Sequence, residues 1–280
     1  MEFHELASGG QPFLVSSAGE GPDVVLLHGF PDTPYSWAEI EGTLVEAGWR
    51  VTVPWLRGYH EATIVPGRGY DPETIGRDAL ALLDAIGASN AVLVGHDWGA
   101  LIAYAAAALA PERVRAIATF AIPHPAVLER TPAAFWAVRH FLSLKLPWAE
   151  RVCRRNDFAY LDRLYRRWSP NWTGPEREES LSRAKRALSS PATLSGALGY
   201  YRDLPLGTPP SVTARVPQVP GLVVGGAEDL AEAKLFGRTA ELLAQPSRAL
   251  IVAGAGHWPH RENSALVVRE LLDFLRPFAA

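Results

Sequence analysis

Val92-Leu93-Val94-Gly95-His96-Asp97-Trp98-Gly99-Ala100 reads as a buried strand that passes through Gly-x-Asp-x-Gly into a helix of small residues, Ala100 to Ala110. A sharp strand-to-helix turn of this composition lifts one side chain clear of a sheet. Its neighbours must be small because backbone passes close by, and glycine tolerates dihedrals that other residues resist. The side chain lifted is usually serine; here it is Asp97. The exchange changes the chemistry. A serine alkoxide attacks acyl carbon, whereas a carboxylate displaces a leaving group from sp3 carbon and becomes an ester of the enzyme. Strained-ring C–O bonds and carbon–halogen bonds suit that step. The competing reading makes Asp97 only the N-cap of a helix beginning near Trp98.

Further along, the apolar run Gly221-Leu222-Val223-Val224-Gly225-Gly226 is followed by Ala227, Glu228 and Asp229. The run Ala249-Leu250-Ile251-Val252-Ala253 is followed by Gly254-Ala255-Gly256-His257. Nucleophile, acid and histidine, each just past a predicted strand, follow the chain order of an alpha/beta-hydrolase triad. A helix over Ala231 to Leu243 fits between the last two strands. Glu228 rivals Asp229 for the acid's place. His257 and His260 with Glu262 raise the thought of a metal, but Pro259 separates the histidines and no cysteine or further histidine completes a set. No metal is therefore expected, and His96 is expected to point away from the reacting side into packing.

Val24-Val25-Leu26-Leu27-His28-Gly29-Phe30-Pro31-Asp32 forms a second strand-and-loop, with Tyr35-Ser36-Trp37 close behind. A loop in this position donates one backbone N–H to an oxyanion hole and the residue after the nucleophile donates the other, so Phe30 and Trp98 are the expected donors. A cis Phe30–Pro31 bond would aim that loop.

These segments resemble the epoxide hydrolases of the alpha/beta-hydrolase fold over essentially the whole chain. His28-Gly29-Phe30-Pro31 with Trp37, Gly95-His96-Asp97-Trp98-Gly99, Pro111-Glu112-Arg113-Val114 and Gly256-His257-Trp258 follow that family's pattern. The resemblance implies a mostly parallel sheet flanked by helices, with an inserted helical cap. Gly-x-x-Asp counted from Gly226 matches the family's acid and favours Asp229 over Glu228. Two lid side chains hold the epoxide oxygen in that family. Leu198-Gly199-Tyr200-Tyr201-Arg202 resembles the segment bearing one of them, which makes Tyr201 a donor. Counting back from Pro147 puts His140 where the family's other tyrosine stands. The implied pocket comprises Phe30, Pro31, Asp32, Trp37, Trp98, Phe141 and Trp258.

Sister families share the aspartate nucleophile. Haloalkane dehalogenases often carry Asn where Phe30 stands, and one branch takes its acid from a strand end that here reads Ala121-Ile122-Pro123-His124. Fluoroacetate dehalogenases place arginines where this chain has Trp98 and Leu101, although they also carry a histidine at the position of His140. A dehalogenase and a non-catalytic small-molecule binder of the same fold remain the alternatives to an epoxide hydrolase.

The 280 residues suit one such domain with an insertion. Residues 1–123 and 213–280 are expected to form the core and 124–212 the cap, with Pro123, Pro125, Pro209 and Pro210 near the junctions. Strands are expected at 24–28, 50–54, 91–95, 115–120, 222–225 and 249–253, behind an N-terminal hairpin. A net charge of −3 argues against nucleic acid as a partner, and the arginines at 151, 154, 155, 163, 166 and 167 read as solvated helix faces. The single Cys153 excludes an internal disulfide, the first residues lack a signal-peptide pattern, and the longest apolar run is too short for a bilayer. The expectation is a cytoplasmic enzyme that needs no cofactor, takes a small epoxide and water, and touches neither membrane nor nucleic acid; a homodimer stays open.

Overall fold

Each apolar run identified above becomes a strand. The computed structural model describes residues 1–129, 131–132, 136, 139–204 and 211–279, so Pro209 and Pro210 lie outside the described residues. The strands are β1 (His4–Ser8), β2 (Gln11–Ala18), β3 (Asp23–Leu27), β4 (Arg50–Pro54), β5 (Ala91–His96), β6 (Val114–Phe120), β7 (Pro220–Gly226) and β8 (Ala244–Val252). They form one sheet in the order β1-β2-β4-β3-β5-β6-β7-β8. β2 pairs antiparallel with β1 and β4, and every later pairing is parallel.

Parallel strands need helical crossovers, which cover both faces and permit continuously apolar strands. All of β5 is accordingly buried. The core helices are α1 (Ala38–Glu46), α2 (Pro72–Ala85) and α3 (Trp98–Leu109). Alternate strand residues serve opposite layers, as the two-residue period requires. Val25, Leu27, Leu93 and Val223 pack with Ile75, Leu82 and Ile102 of α2 and α3. Val24, Leu26, Val92 and Val94 pack on the other face with Ile40 and Leu44 of α1.

Between β6 and β7 lie α4 (His140–Lys145), α5 (Ala149–Trp168), α6 (Pro175–Ala187), α7 (Pro191–Asp203) and α8 (Ser211–Ala214). α5 is broken near its middle: Asn156, Asp157 and Phe158 have φ of 50°, 51° and 57°. Asn and Asp enter this left-handed region more readily than most residues, and the break brings Phe158 into the core. The helices are tied over the C-terminal ends of the strands. Tyr165 Oη donates to Pro31 O at 2.9 Å, Tyr200 Oη donates to Arg57 O at 3.0 Å, and Asp203 accepts the Tyr70 N–H at 2.7 Å.

The last elements are α9 (Ala233–Leu242), α10 (Pro259–Glu262) and α11 (Ser264–Leu275). α11 contributes Val267, Leu271 and Phe274 to the layer shared with α1. β8 starts at Ala244, earlier than its apolar run suggests, because Ala244 pairs with Pro220 before the ladder resumes at Arg248 opposite Leu222, leaving Gln245, Pro246 and Ser247 in an irregularity of the strand. A proline fits there because β8 pairs only with β7, so it is an edge strand. Among the described residues no helix is long and apolar enough to cross a membrane.

Candidate active site

Asp97 occupies the turn between β5 and α3 with φ 52° and ψ −116°, a backbone conformation that costs a non-glycine residue free energy. Glycines make the turn sterically possible. A Cβ on Gly95 would fall 2.1 Å from the Gly99 carbonyl oxygen, one on Gly99 2.1 Å from that of Leu27, and one on Gly29 2.4 Å from Asp97 Cβ. The carboxylate makes no capping bond to α3, which disposes of the N-cap reading. Asp97 Oδ1 instead accepts the Phe30 N–H at 2.8 Å. The Phe30–Pro31 peptide is cis, as expected. His28 Nε2 accepts the Leu56 N–H at 3.2 Å and so ties this loop to the end of β4. The Trp98 N–H belongs to the first turn of α3, where helical amides have no intrahelical acceptor.

The three groups far apart in sequence meet here. His257 Nε2 lies 3.4 Å from Asp97 Oδ2, and its Nδ1 lies 3.1 Å from each oxygen of Asp229. The Asp229 side chain is 1% exposed whereas Glu228 faces solvent, which resolves the choice between them. His257 is held at its backbone by α5: its N–H donates to Trp168 O at 2.9 Å and to Ser169 Oγ at 2.8 Å. Glu262 accepts from Gly256 N, Trp258 N and Ser169 Oγ at 2.9, 3.1 and 2.7 Å, so it braces the histidine loop rather than facing a metal with His257.

Burial opposes a charge on His257, but the carboxylates of Asp229 and Asp97 outweigh it and push the imidazole up to about 10. Burial likewise opposes a charge on Asp97, yet His257, His96 and the Phe30 N–H hold its carboxyl below the usual range. Both shifts favour an ionised Asp97 beside a protonated His257. A folded-state value above the unfolded value of about 6.5 means that this pair stabilises the fold fully below pH ~6.5 and stops doing so as pH rises through about 10. Urea titrations between pH 6 and 10.5 should show unfolding free energy falling with pH in the native chain and a flatter profile in His257→Gln.

Above Asp97 stands an aromatic wall. The Tyr201 ring lies 5.0 Å from Trp98, 5.3 Å from Phe30, 5.1 Å from Phe141 and 6.2 Å from His140. Burial, with the nearby Asp97 charge, pushes the Tyr201 phenol well above its ordinary value, so it keeps its proton as a donor. His140 is buried against Trp168, whose ring is also 4.9 Å from His257. Tyr200 turns away, donating its hydroxyl to Arg57 O.

Several expected pocket residues are elsewhere. Trp37 stacks on His260 at 4.5 Å in the opposite core layer, because its helical turn feeds α1. Asp32 is buried, accepting the Thr33 N–H at 2.7 Å and Trp258 Nε1–H at 3.1 Å, and burial pushes its carboxyl up to about 6. Trp258 is fully buried and stacks on Tyr165 at 4.2 Å, so it backs the site instead of lining it. Pro31 presents its carbonyl to Tyr165. His96 does point into packing, with its ring 5.0 Å from His257.

The sequence reading missed Trp168 as a neighbour of His257, and it missed Tyr59. The Tyr59 ring packs 4.8 Å from His28, and its hydroxyl is buried without a hydrogen-bond partner among the described residues. Burial raises this phenol well above its usual value, and the charge of Asp97 adds to the effect. Its position just past β4, at the same sheet edge as Phe30 and Asp97, was the available signal.

A sequence profile of the family described as alpha/beta hydrolase fold matches residues 22–264. The chain is 30% identical to the AB hydrolase superfamily protein YfhM of Bacillus subtilis, covering 94% of this chain and 93% of that one. It is also 30% identical to a protein of Caballeronia sordidicola named epoxide hydrolase, over 98% of this chain and 93% of the relative. The solved structure of Epoxide Hydrolase A from Mycobacterium thermoresistibile superposes with a TM-score of 0.79 at 27% identity, covering 98% of both chains. With the strand order, the Asp97 turn and the Asp97–His257–Asp229 array, these matches make the chain a member of the alpha/beta hydrolase fold family.

Proposed function

We propose that the protein is an epoxide hydrolase that opens a small or medium apolar epoxide to a vicinal diol through an ester on Asp97. The observation that carries this reading is the Asp97 carboxylate set 3.4 Å from His257 beneath the wall that includes Tyr201. Relatives named epoxide hydrolase, which match nearly end to end, support it. The helices between β6 and β7 serve as the cap, with residues 124–212 as its extent.

Asp97 Oδ2 attacks one ring carbon and the C–O bond breaks. Tyr201 and His140 hydrogen-bond the departing oxygen, which takes up a proton. Oδ1, bonded to Phe30 N–H, becomes the carbonyl oxygen of the ester. Esterification removes the charge of Asp97, so His257 loses one of the carboxylates holding its proton and gives that proton up, which balances the one taken by the departing oxygen. The freed imidazole, oriented by Asp229, deprotonates water, which attacks the ester carbonyl carbon. The oxyanion then forms on Oδ1, facing the N–H groups of Phe30 and Trp98. Collapse breaks the C–Oδ2 bond, and Oδ2 leaves in the diol with the proton that His257 took from water; the new Asp97 carboxyl then ionises and His257 regains its proton. These steps call on the protein and water alone.

A panel of terminal, aryl and internal epoxides beside haloalkanes and fluoroacetate, scored for diol and free halide, tests the assignment. Diol without halide is the outcome expected; halide without diol would replace it with a dehalogenase. Tyr201→Phe should slow ring opening by about 10²-fold, seen in single-turnover ester formation, while ester hydrolysis changes little.

A further inference from the structure

Behind the catalytic histidine, three side chains from distant parts of the chain converge on one buried point. Asp32 follows β3, His96 ends β5, and His260 lies in α10; all are buried, and one ligand-type atom from each lies within 4.8 Å of the others. His96 Nε2 is 2.8 Å from the carbonyl oxygen of His257. A carbonyl only accepts, so Nε2 carries the proton and Nδ1 keeps a free lone pair. That Nδ1 faces Asp32 Oδ2 at 3.7 Å, acceptor against acceptor. The Nδ1 atoms of both His96 and His260 are buried with no hydrogen-bond partner among the described residues.

We infer that Asp32, His96 and His260 form a binding site for a divalent transition-metal ion such as Zn²⁺. Two imidazoles and one carboxylate suit this class of ion. A point exists within about 2.8 Å of all three donor atoms, against metal bonds of about 2.0–2.2 Å, so side-chain rotations of under an ångström close the set. The outer contacts are those that orient metal ligands. His96 donates to the His257 carbonyl, His260 Nε2 bonds Ser36 Oγ at 2.9 Å, and the Trp258 indole donates to Asp32. A surface cleft lined by Ser36, Glu176, Glu179 and Arg261 reaches Asp32 and provides a way in.

The ion would clamp together the loop carrying Phe30, the turn carrying Asp97 and the segment after His257. Its role is structural, and the inference stands independently of the reaction proposed above. The sequence had excluded metal by pairing His260 with His257; the fold pairs it with His96 instead.

The test titrates chelator-treated protein with Co²⁺, reading visible ligand-field absorption, and then displaces it with Zn²⁺. One equivalent should generate the band, and Zn²⁺ at a hundredfold excess over Kd should raise the thermal midpoint by about 5 °C. His260→Gln should lose both responses, whereas Asp97→Ala, which removes one of the two carboxylates beside His257, should keep them. Should His260→Gln fail to fold, Asp32→Asn serves in its place. No band in the native chain, or a band that survives in His260→Gln and Asp32→Asn but disappears in Asp97→Ala, overturns the inference.

Discussion

Asp97→Ala should lower diol formation by about 10⁴-fold or more while leaving the fold in place, because it removes the carboxylate proposed to attack carbon. The turn itself does not depend on the carboxylate for capping, since Asp97 makes no side-chain bond to the start of α3. Alanine also has less to lose by burial, and the variant sheds the buried partner of His257. The histidine should therefore titrate below the value of about 10 that it has beside two carboxylates. Activity near that of the native chain would remove Asp97 from the mechanism. Isotope labelling adds a check on the native chain: one turnover in ¹⁸O-water should place label in the Asp97 carboxylate before it reaches the diol, since water attacks the ester carbonyl.

His257→Gln should separate the two halves of the reaction. Asp97 keeps its Phe30 N–H bond and can still attack, but no base remains to activate water. The ester should accumulate to one equivalent, and steady turnover should fall by about 10³–10⁴-fold. Intact-protein mass spectrometry reads the result directly. An epoxide adds its entire mass, whereas a haloalkane adds its mass less the hydrogen halide, so the same spectrum tells the two chemistries apart. Loss of the imidazolium also deprives Asp97 of a stabilising charge, so ester formation in the variant should favour higher pH than in the native chain. An unmodified variant that turns over normally would sink the assignment of His257.

Much of this was written locally. The strand at 91–95 and its Gly-x-Asp-x-Gly turn depend on neighbours in sequence, because glycine at 95 and 99 answers contacts that any such turn creates. The order of Asp97, Asp229 and His257 was also legible, since each follows a strand and parallel strands deliver their ends to one sheet edge. Tyr201 could be placed through its resemblance to the lid segment of the family, and the structure sets its ring 5.0 Å from Trp98.

What escaped the sequence involves partners separated by long stretches of chain. Trp37 is as aromatic as Trp168, yet it packs under the sheet while Trp168 touches His257. Neither residue type nor periodicity distinguishes them, because the side of the sheet follows from how the connecting helices dock. The left-handed residues at 156–158 interrupt a segment whose composition is helical throughout. Asp32 looked like a pocket residue by its place after Pro31, but it turns inward to Trp258 and His96.

By itself, then, the chain determined its strands, its strained turn and the order in which Asp97, Asp229 and His257 follow their strands, because short-range sterics and strand order suffice for these. Which buried acids and imidazoles face one another, and which aromatic rings wall the site, only the tertiary structure decided. Those relations arise from close packing between segments well separated in the chain, such as Phe30 with Asp97, and no local pattern records them.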